Sequence, residues 1–341
     1  MKDRRIIGLC TRPDSNFQLI KEAGVEWLRV GFGFPFKDRV GGELTEKFKA
    51  NLAHAKKLSQ MGFGIMGITP LAGVLAWDKS DNRTAWRSHL PEWAGRFDED
   101  GYYEVYEEAC AQMARQTAGI VGLWQVSNEM DIDVFRGPLK PEHAARFLLA
   151  GGRGVKRGNP QAKAGINPAS RAPDKGGWLF RTLYKEPDHP FDFAGIDGYY
   201  GSWDPGAPED WLPCIEEIGE ITGKPVLIHE WGYPSLGKQA EPPAKVAEGS
   251  LSVCEAQGWH YVWKKEHSEK EQADYTRMGL KIFATYPNVL GSFLYTWADD
   301  AVCYHCGRPN CPAECGWGIV DSAGKPKAAY YAFRDTVKSY Y

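Results

Sequence analysis

The sequence predicts an α/β chain in which eight parallel strands, each followed by a helix, close into a (β/α)8 TIM barrel, with residues 1–341 forming one domain. Three observations predict it. Short apolar runs alternate with amphipathic segments from end to end, the pattern of a parallel sheet covered by helices. The pairs count to eight, which favours a closed barrel over an open doubly wound sheet. The long connections all follow strands three, seven and eight while the helix-to-strand joints are short, so the elaboration gathers on one face.

Taken in order, Arg4 to Cys10 reads as the first strand and Asn16 to Ala23 as a short helix ended by Gly24. Val25 to Phe32 is the second strand. Leu44, Phe48, Leu52, Ala55 and Leu58 recur every three or four residues and mark a helix closed by Gly62. Phe63 to Thr69 is strand three, and Pro70 to Asp100 a connection longer than an ordinary loop. Tyr102, Tyr106, Ala109 and Met113 resume helical spacing before strand four. Pro141 suits the first position of a helix running to about Val155. Ala162 to Asn167 and Phe191 to Tyr200 are strands five and six, followed by helices around Trp178 to Tyr184 and Trp211 to Ile221. Strand seven is Pro225 to Glu230. After the insertion Pro234 to His267, Ser268-Glu-Lys-Glu271 has the pattern of a capping box opening a helix from Ala273 to Tyr286. Val289 to Trp297 is strand eight, and Lys327 to Lys338 the closing helix.

A net charge of -3 with interspersed signs argues against nucleic acid or an anionic membrane as partner. No run approaches the ~18 apolar residues of a membrane span, and the N-terminus lacks a signal peptide's apolar stretch, so a cytoplasmic protein is expected. The 13 Trp and 16 Tyr suit flat ligands such as sugar rings, although most must fill the core. Gly62-Phe-Gly64-Ile-Met-Gly67 matches a dinucleotide fingerprint but follows a helix and opens a strand, the reverse of that site. The Asn82-Arg83-Thr84 sequon carries no meaning in a cytoplasmic protein.

Two strands end in the same way. Ile120-Val-Gly-Leu-Trp-Gln-Val-Ser-Asn-Glu-Met-Asp131 stops its apolar run at Asn128 and Glu129, and Lys224-Pro-Val-Leu-Ile-His-Glu230 stops at Glu230 before Trp231 and a Gly/Pro turn. Each would deliver a carboxyl group to the C-terminal mouth of the barrel, where this fold places its active sites. Either Glu alone is more ordinarily a solvated loop carboxylate. Two in matching contexts make a two-carboxylate site the better reading.

These ends, with Leu-Arg29-Val on strand two and Tyr-Thr-Trp297 on strand eight, resemble clan A glycoside hydrolases over essentially the whole chain. The resemblance implies a retaining glycosidase acting on a carbohydrate substrate, β-linked because that clan acts mostly on β-glycosides, with no cofactor for catalysis. It implies Glu129 as acid/base and Glu230 as nucleophile. Glu129 must then hold a proton for the leaving oxygen while Glu230 is ionised, and retention requires the carboxyls about 5 to 5.5 Å apart. Arg29 would donate to Glu230 and keep it charged. Asn128 would bond the sugar 2-hydroxyl, Tyr199 or Tyr200 would bond Glu230, with Tyr199 favoured, and Trp297 would floor the reacting sugar. Asp131, Asp197, Asp299 and Asp300 also end strands, as substrate contacts or as helix caps. His229 and His260 read as hydrogen-bonded structural histidines. A non-catalytic carbohydrate-binding barrel and a transglycosylase using the same carboxylates are the rival readings.

Of eight cysteines, Cys10, Cys110, Cys214 and Cys254 stand singly, as reduced buried thiols would. The rest crowd into the loop 299–317 after strand eight as Cys303-x2-Cys306-x4-Cys311-x3-Cys315, close to a zinc knuckle but without its His and its final gap. A structural zinc ion on Cys303, Cys306, Cys311 and Cys315 is the leading expectation, ahead of two disulfides and of free thiols.

Overall fold

The computed structural model describes residues 5–78, 83–169, 177–246 and 251–341. Arg4, Asn82 and part of the insertion after strand seven lie outside the described residues. The barrel strands are β1 (Ile6–Cys10), β2 (Trp27–Gly31), β3 (Gly64–Ile68), β4 (Val121–Gln125), β5 (Lys163–Gly165), β6 (Ala194–Gly198), β7 (Val226–Trp231) and β8 (Val289–Leu294). They hydrogen-bond in the order β5-β4-β3-β2-β1-β8-β7-β6, every pair parallel. The seam between β5 and β6 is crossed by two backbone bonds, from Asp192 N–H to the Ala164 carbonyl at 2.8 Å and from Asp197 N–H to the Pro168 carbonyl at 3.0 Å. The result is the expected barrel.

The outer layer consists of α1 (Phe17–Glu22), α2 (Glu46–Gln60), α3 (Asp100–Gln116), α4 (Pro141–Gly158), α5 (Gly177–Leu183), α6 (Trp211–Thr222), α7 (Glu269–Thr285) and α8 (Ala328–Tyr340). Their starts follow from capping chemistry. Asn16, Thr45 and Ser268 each accept the backbone N–H three residues on, at 3.1, 3.2 and 3.2 Å. Ser268 therefore opens α7 at Glu269, one turn before the start at Ala273 that periodicity suggests.

Alternation along each strand sends one set of side chains outward onto the helices and the other into the barrel. Deep inside, Met66, Leu123, Phe193, Leu227 and Phe293 form one apolar layer. Glycines make room for its rings. Gly8 faces Phe293 in register and Gly165 lies against Phe193, and a Cβ at these glycines would lie 2.2 and 2.3 Å from those rings. The polar residues discussed below occupy the layer above.

The structure alters two expectations. Within the connection 70–100 lies an antiparallel hairpin, Gly73–Asp78 with Arg83–Ser88, and a single turn at Glu92–Ala94. Strand β8 ends at Leu294, three residues short of Trp297. Among the described residues no helix is long and apolar enough to cross a membrane.

Candidate active site

Arg29 sits at the centre of the mouth because Trp27 and Arg29 are the inward residues of β2, while Leu28 turns to the helices. Its guanidinium makes four contacts. Nε donates to Gln125 Oε1 at 2.9 Å, Nη2 to Asn128 Oδ1 at 2.9 Å, and Nη1 to a Glu230 oxygen and, at 3.5 Å, to Cys10 Sγ. The Arg29 and Glu230 side chains are 7% and 13% exposed, so the pair lies largely out of water.

Glu230 reaches the interior through a bulge. Ile196 pairs with Ile228 but Asp197 pairs with Glu230, so β7 carries an extra residue there. His229 and Glu230, consecutive in sequence, thus both face inward. The two Glu230 oxygens are held separately, one by Arg29 Nη1 and the other by the Tyr199 hydroxyl. Tyr200 points the other way, buried edge-on against Trp211 at 5.2 Å. Of the two tyrosines, it is Tyr199 that contacts Glu230.

A polar layer beneath this pair fixes Asn128. Its Oδ1 accepts from Arg29 Nη2, Gln125 Nε2 and Asn167 Nδ2, each at 2.9 Å. The amide orientation follows, and the Asn128 NH2, without a partner among the described residues, is left as a free donor at the cleft. Gln125 Nε2 also donates to the Ser127 carbonyl at 2.8 Å, so its Oε1 must be the acceptor for both Arg29 and His229 Nδ1, the latter at 3.1 Å. His229 is therefore the Nδ1–H tautomer. Burial and the Arg29 charge hold it well below the ordinary histidine range, so it is neutral. It is the structural histidine expected.

Glu129 follows the strand at φ 43, after Ser127 at φ 60, so the chain leaves β4 through two left-handed residues. Glu129 lines a small void with Val126, Leu148, Asn167 and Leu179 and lies close to Asp197. Asp197 is wholly buried and accepts Asn167 Nδ2 at 2.7 Å. Burial first, then the Glu230 charge, raises both acids well above their ordinary ranges, with Asp131 adding to Glu129 and Glu129 to Asp197. Glu129 and Asp197 thus retain protons that solvated acids would lose.

A cleft of about 740 Å³ opens beside this group, with Asn128, Arg29 and Glu230 at its head and Phe34, Leu71 and Leu90 along its walls. Lys37, Lys47 and His89 also line it. Glu129 is not part of that lining. Trp297 is 3% exposed and packs edge-on to Tyr330 in the core, because the chain past Leu294 turns its ring away from the mouth. The rings beside Tyr199 are instead Trp317, at 5.0 Å, and Tyr295, at 6.1 Å. Asp299 is bound by Lys327 at 3.0 Å, Asp300 by Arg12, and Asp131 accepts Ala169 N–H at 2.8 Å. His260 lies against Tyr261. Sequence reasoning missed Gln125 and Asn167; a polar residue on an otherwise apolar barrel strand is the only signal either gave.

The cysteines group differently from expectation. Cys254, Cys303, Cys306 and Cys311 place their sulfurs within 4.8 Å of one another, a set that could hold a metal ion. Cys315 is excluded, its sulfur facing the Arg308 carbonyl at 4.0 Å, because its backbone closes a turn onto Cys311. Cys254, expected as a lone buried thiol, comes from the short helix Ser252–Ala256 in the insertion after β7.

No protein-family model matches the chain, and no curated protein does. Solved structures do. The chain superposes on the GH53 catalytic domain of Ignisphaera aggregans with TM-score 0.62 and 18% identity, covering 98% of this chain and 96% of that one. A GH2 β-galacturonidase from Eisenbergiella tayi gives 0.59 and 18%, and a β-glucuronidase of Bacteroides uniformis 0.61 and 15%, again over 98% of this chain. The chain spans only 51% and 35% of the length of those two proteins. Identities this low speak for the fold alone: over nearly its whole length, the chain has the barrel fold of glycoside hydrolase catalytic domains.

Proposed function

We propose that the protein hydrolyses a glycosidic bond with retention of configuration, with Glu230 as nucleophile and Glu129 as acid/base. The observation that carries this reading is the unequal treatment of the two strand-end acids. Glu230 stands at the head of the cleft with one oxygen on Arg29 and the other on Tyr199. Glu129 is half-buried beside other acids, and its burial and their charges hold its proton in place. In the first step a Glu230 oxygen bonds to the anomeric carbon as the leaving oxygen departs with the Glu129 proton. In the second, water gives a proton back to Glu129 and its oxygen displaces Glu230 from the sugar. Asn128 NH2, free at the cleft, is placed to donate to the 2-hydroxyl.

The test is a panel of nitrophenyl glycosides with Glu230→Ala as control. β-Glucuronides and β-galacturonides belong in it, since two of the structural neighbours are named for those sugars and Lys37, Lys47 and His89 line the cleft. Release of nitrophenol that Glu230→Ala abolishes, with the β-anomer formed first by NMR, supports the reading. Binding without release from any glycoside or polysaccharide would favour a carbohydrate-binding barrel, and transfer to an added alcohol in preference to water a transglycosylase.

A further inference from the structure

We propose that Cys254, Cys303, Cys306 and Cys311 hold one zinc ion as four thiolates, and that this ion clasps the insertion after β7 to the loop after β8. The four sulfurs belong to two segments separated by 49 positions between Cys254 and Cys303. Cys254 lies 3.8 Å from Cys303 and 3.7 Å from Cys311. A tetrahedron with metal–sulfur bonds of ~2.3 Å has edges of ~3.8 Å, so these separations fit four ligands around one centre.

The surrounding backbone is that of a thiolate site. The Gly307 N–H donates to the Cys303 carbonyl at 2.7 Å, and Gly307 has φ 71, closing a tight turn around Cys303-x2-Cys306. The N–H groups of His305 and Cys306 point at the Cys303 sulfur and that of Arg308 at Cys306, donors that stabilise charge on a ligating sulfur. Arg308 also donates to the Cys254 carbonyl at 2.9 Å, tying the two segments beside the sulfurs. Four protein ligands leave no open position, so the ion is structural.

What it supports is the wall behind the candidate nucleophile. Trp317, two residues past Cys315, packs edge-on to Tyr199 at 5.0 Å and to Trp259 at 5.5 Å. Glu314 accepts the Tyr295 hydroxyl at 3.3 Å.

The experiment is metal analysis of the full chain purified without added metal, followed by exchange to cobalt(II). The proposal expects one zinc per chain and, after exchange, the visible bands of a tetrahedral cobalt–thiolate centre. Cys315→Ser should keep the ion and Cys254→Ser lose it. If Cys254→Ser fails to fold, the cobalt spectrum of the parent and the metal content of Cys315→Ser still decide. Iron in place of zinc, no cobalt–thiolate bands, two disulfides found by mass after alkylation, or loss of the ion from Cys315→Ser would each overturn it. None of these readouts depends on glycoside hydrolysis.

Discussion

Arg29 of β2 and Glu230 of β7 pair through the interior of the barrel, with β1 and β8 standing between their strands in the sheet. No stretch of local sequence could make this contact; only closure of the barrel does. The pair is largely buried, and Arg29 is also the donor that orients Gln125 and Asn128.

Removing the cation should therefore cost more than removing the pair. Arg29→Met leaves Glu230 largely buried with Tyr199 as its one donor among the described residues, and urea unfolding at pH 7 should show a loss of about 3 to 5 kcal/mol. Arg29→Met with Glu230→Gln should recover much of that loss. If the double variant were as unstable as the single one, the arginine would be acting through packing and not through charge.

Tyr199→Phe removes one donor to Glu230 and nothing else of comparable size. A hydrogen bond to a charged group contributes about 1.5 to 3 kcal/mol. Tyr199 holds the attacking carboxylate in place, so losing a donor of that size should lower kcat/KM on an active glycoside roughly 10- to 150-fold. Tyr200→Phe should leave it unchanged, since Tyr200 packs on Trp211. Equal effects of the two variants would argue against the assignment of Tyr199 to the site.

The contrast between these tyrosines shows what was legible in the sequence. Strand-end position marked Glu129 and Glu230, with Asn128 beside the first, because an apolar run that stops at an acid is visible without knowing its neighbours, whereas Arg29 was marked by the resemblance its Leu-Arg-Val carries. Trp297 was misread because β8 ends early, at Leu294, and the alternation of strand faces does not continue past that point. Gln125 and Asn167 were passed over because a lone polar residue in an apolar strand declares a need for a partner but not its identity. Cys254 was hidden by distance: nothing local distinguishes it from Cys110 or Cys214, and only the fold brings it to Cys303.

The acid limb of the mechanism has its own signature. The basic side of the kcat/KM profile reports the free enzyme's proton donor, here Glu129, whose affinity for its proton is raised by burial, by Glu230 and by Asp131. Asp131→Asn keeps an oxygen for the Ala169 N–H but removes one negative charge. The basic limb should move to lower pH. A limb that stays in place would mean that another group supplies the proton.

The same raised affinity predicts a stability effect of Glu129→Gln. An acid whose proton is held more tightly folded than unfolded contributes stability that is complete below its unfolded value, near 4.3, and is lost as pH rises through the folded value. Glutamine cannot ionise. Urea midpoints should show Glu129→Gln gaining on the parent as pH rises from 5 to 9, with little difference at pH 4. A constant offset across that range would remove ionisation from the explanation.

Lys327 makes the last case, away from the chemistry but holding its loop. From the start of α8 its Nζ reaches Asp299 at 3.0 Å, Ser235 Oγ at 2.7 Å and the Gly318 carbonyl at 2.7 Å, and the residue is 6% exposed. Burial pushes the Asp299 carboxyl up to about 6 even against the opposing pull of Lys327. Lys327→Met takes that pull away, so the carboxyl rises further and holding it ionised above neutral pH costs the folded state an unpaired buried charge. The loss in urea unfolding should be about 3 to 5 kcal/mol at pH 8. At pH 5 it should be smaller, since the carboxyl then escapes the penalty by taking a proton. Adding Asp299→Asn to Lys327→Met should flatten that pH dependence, and a loss that is the same at both pH values in the single variant would show that the lysine acts by bonding carbonyls rather than by balancing Asp299.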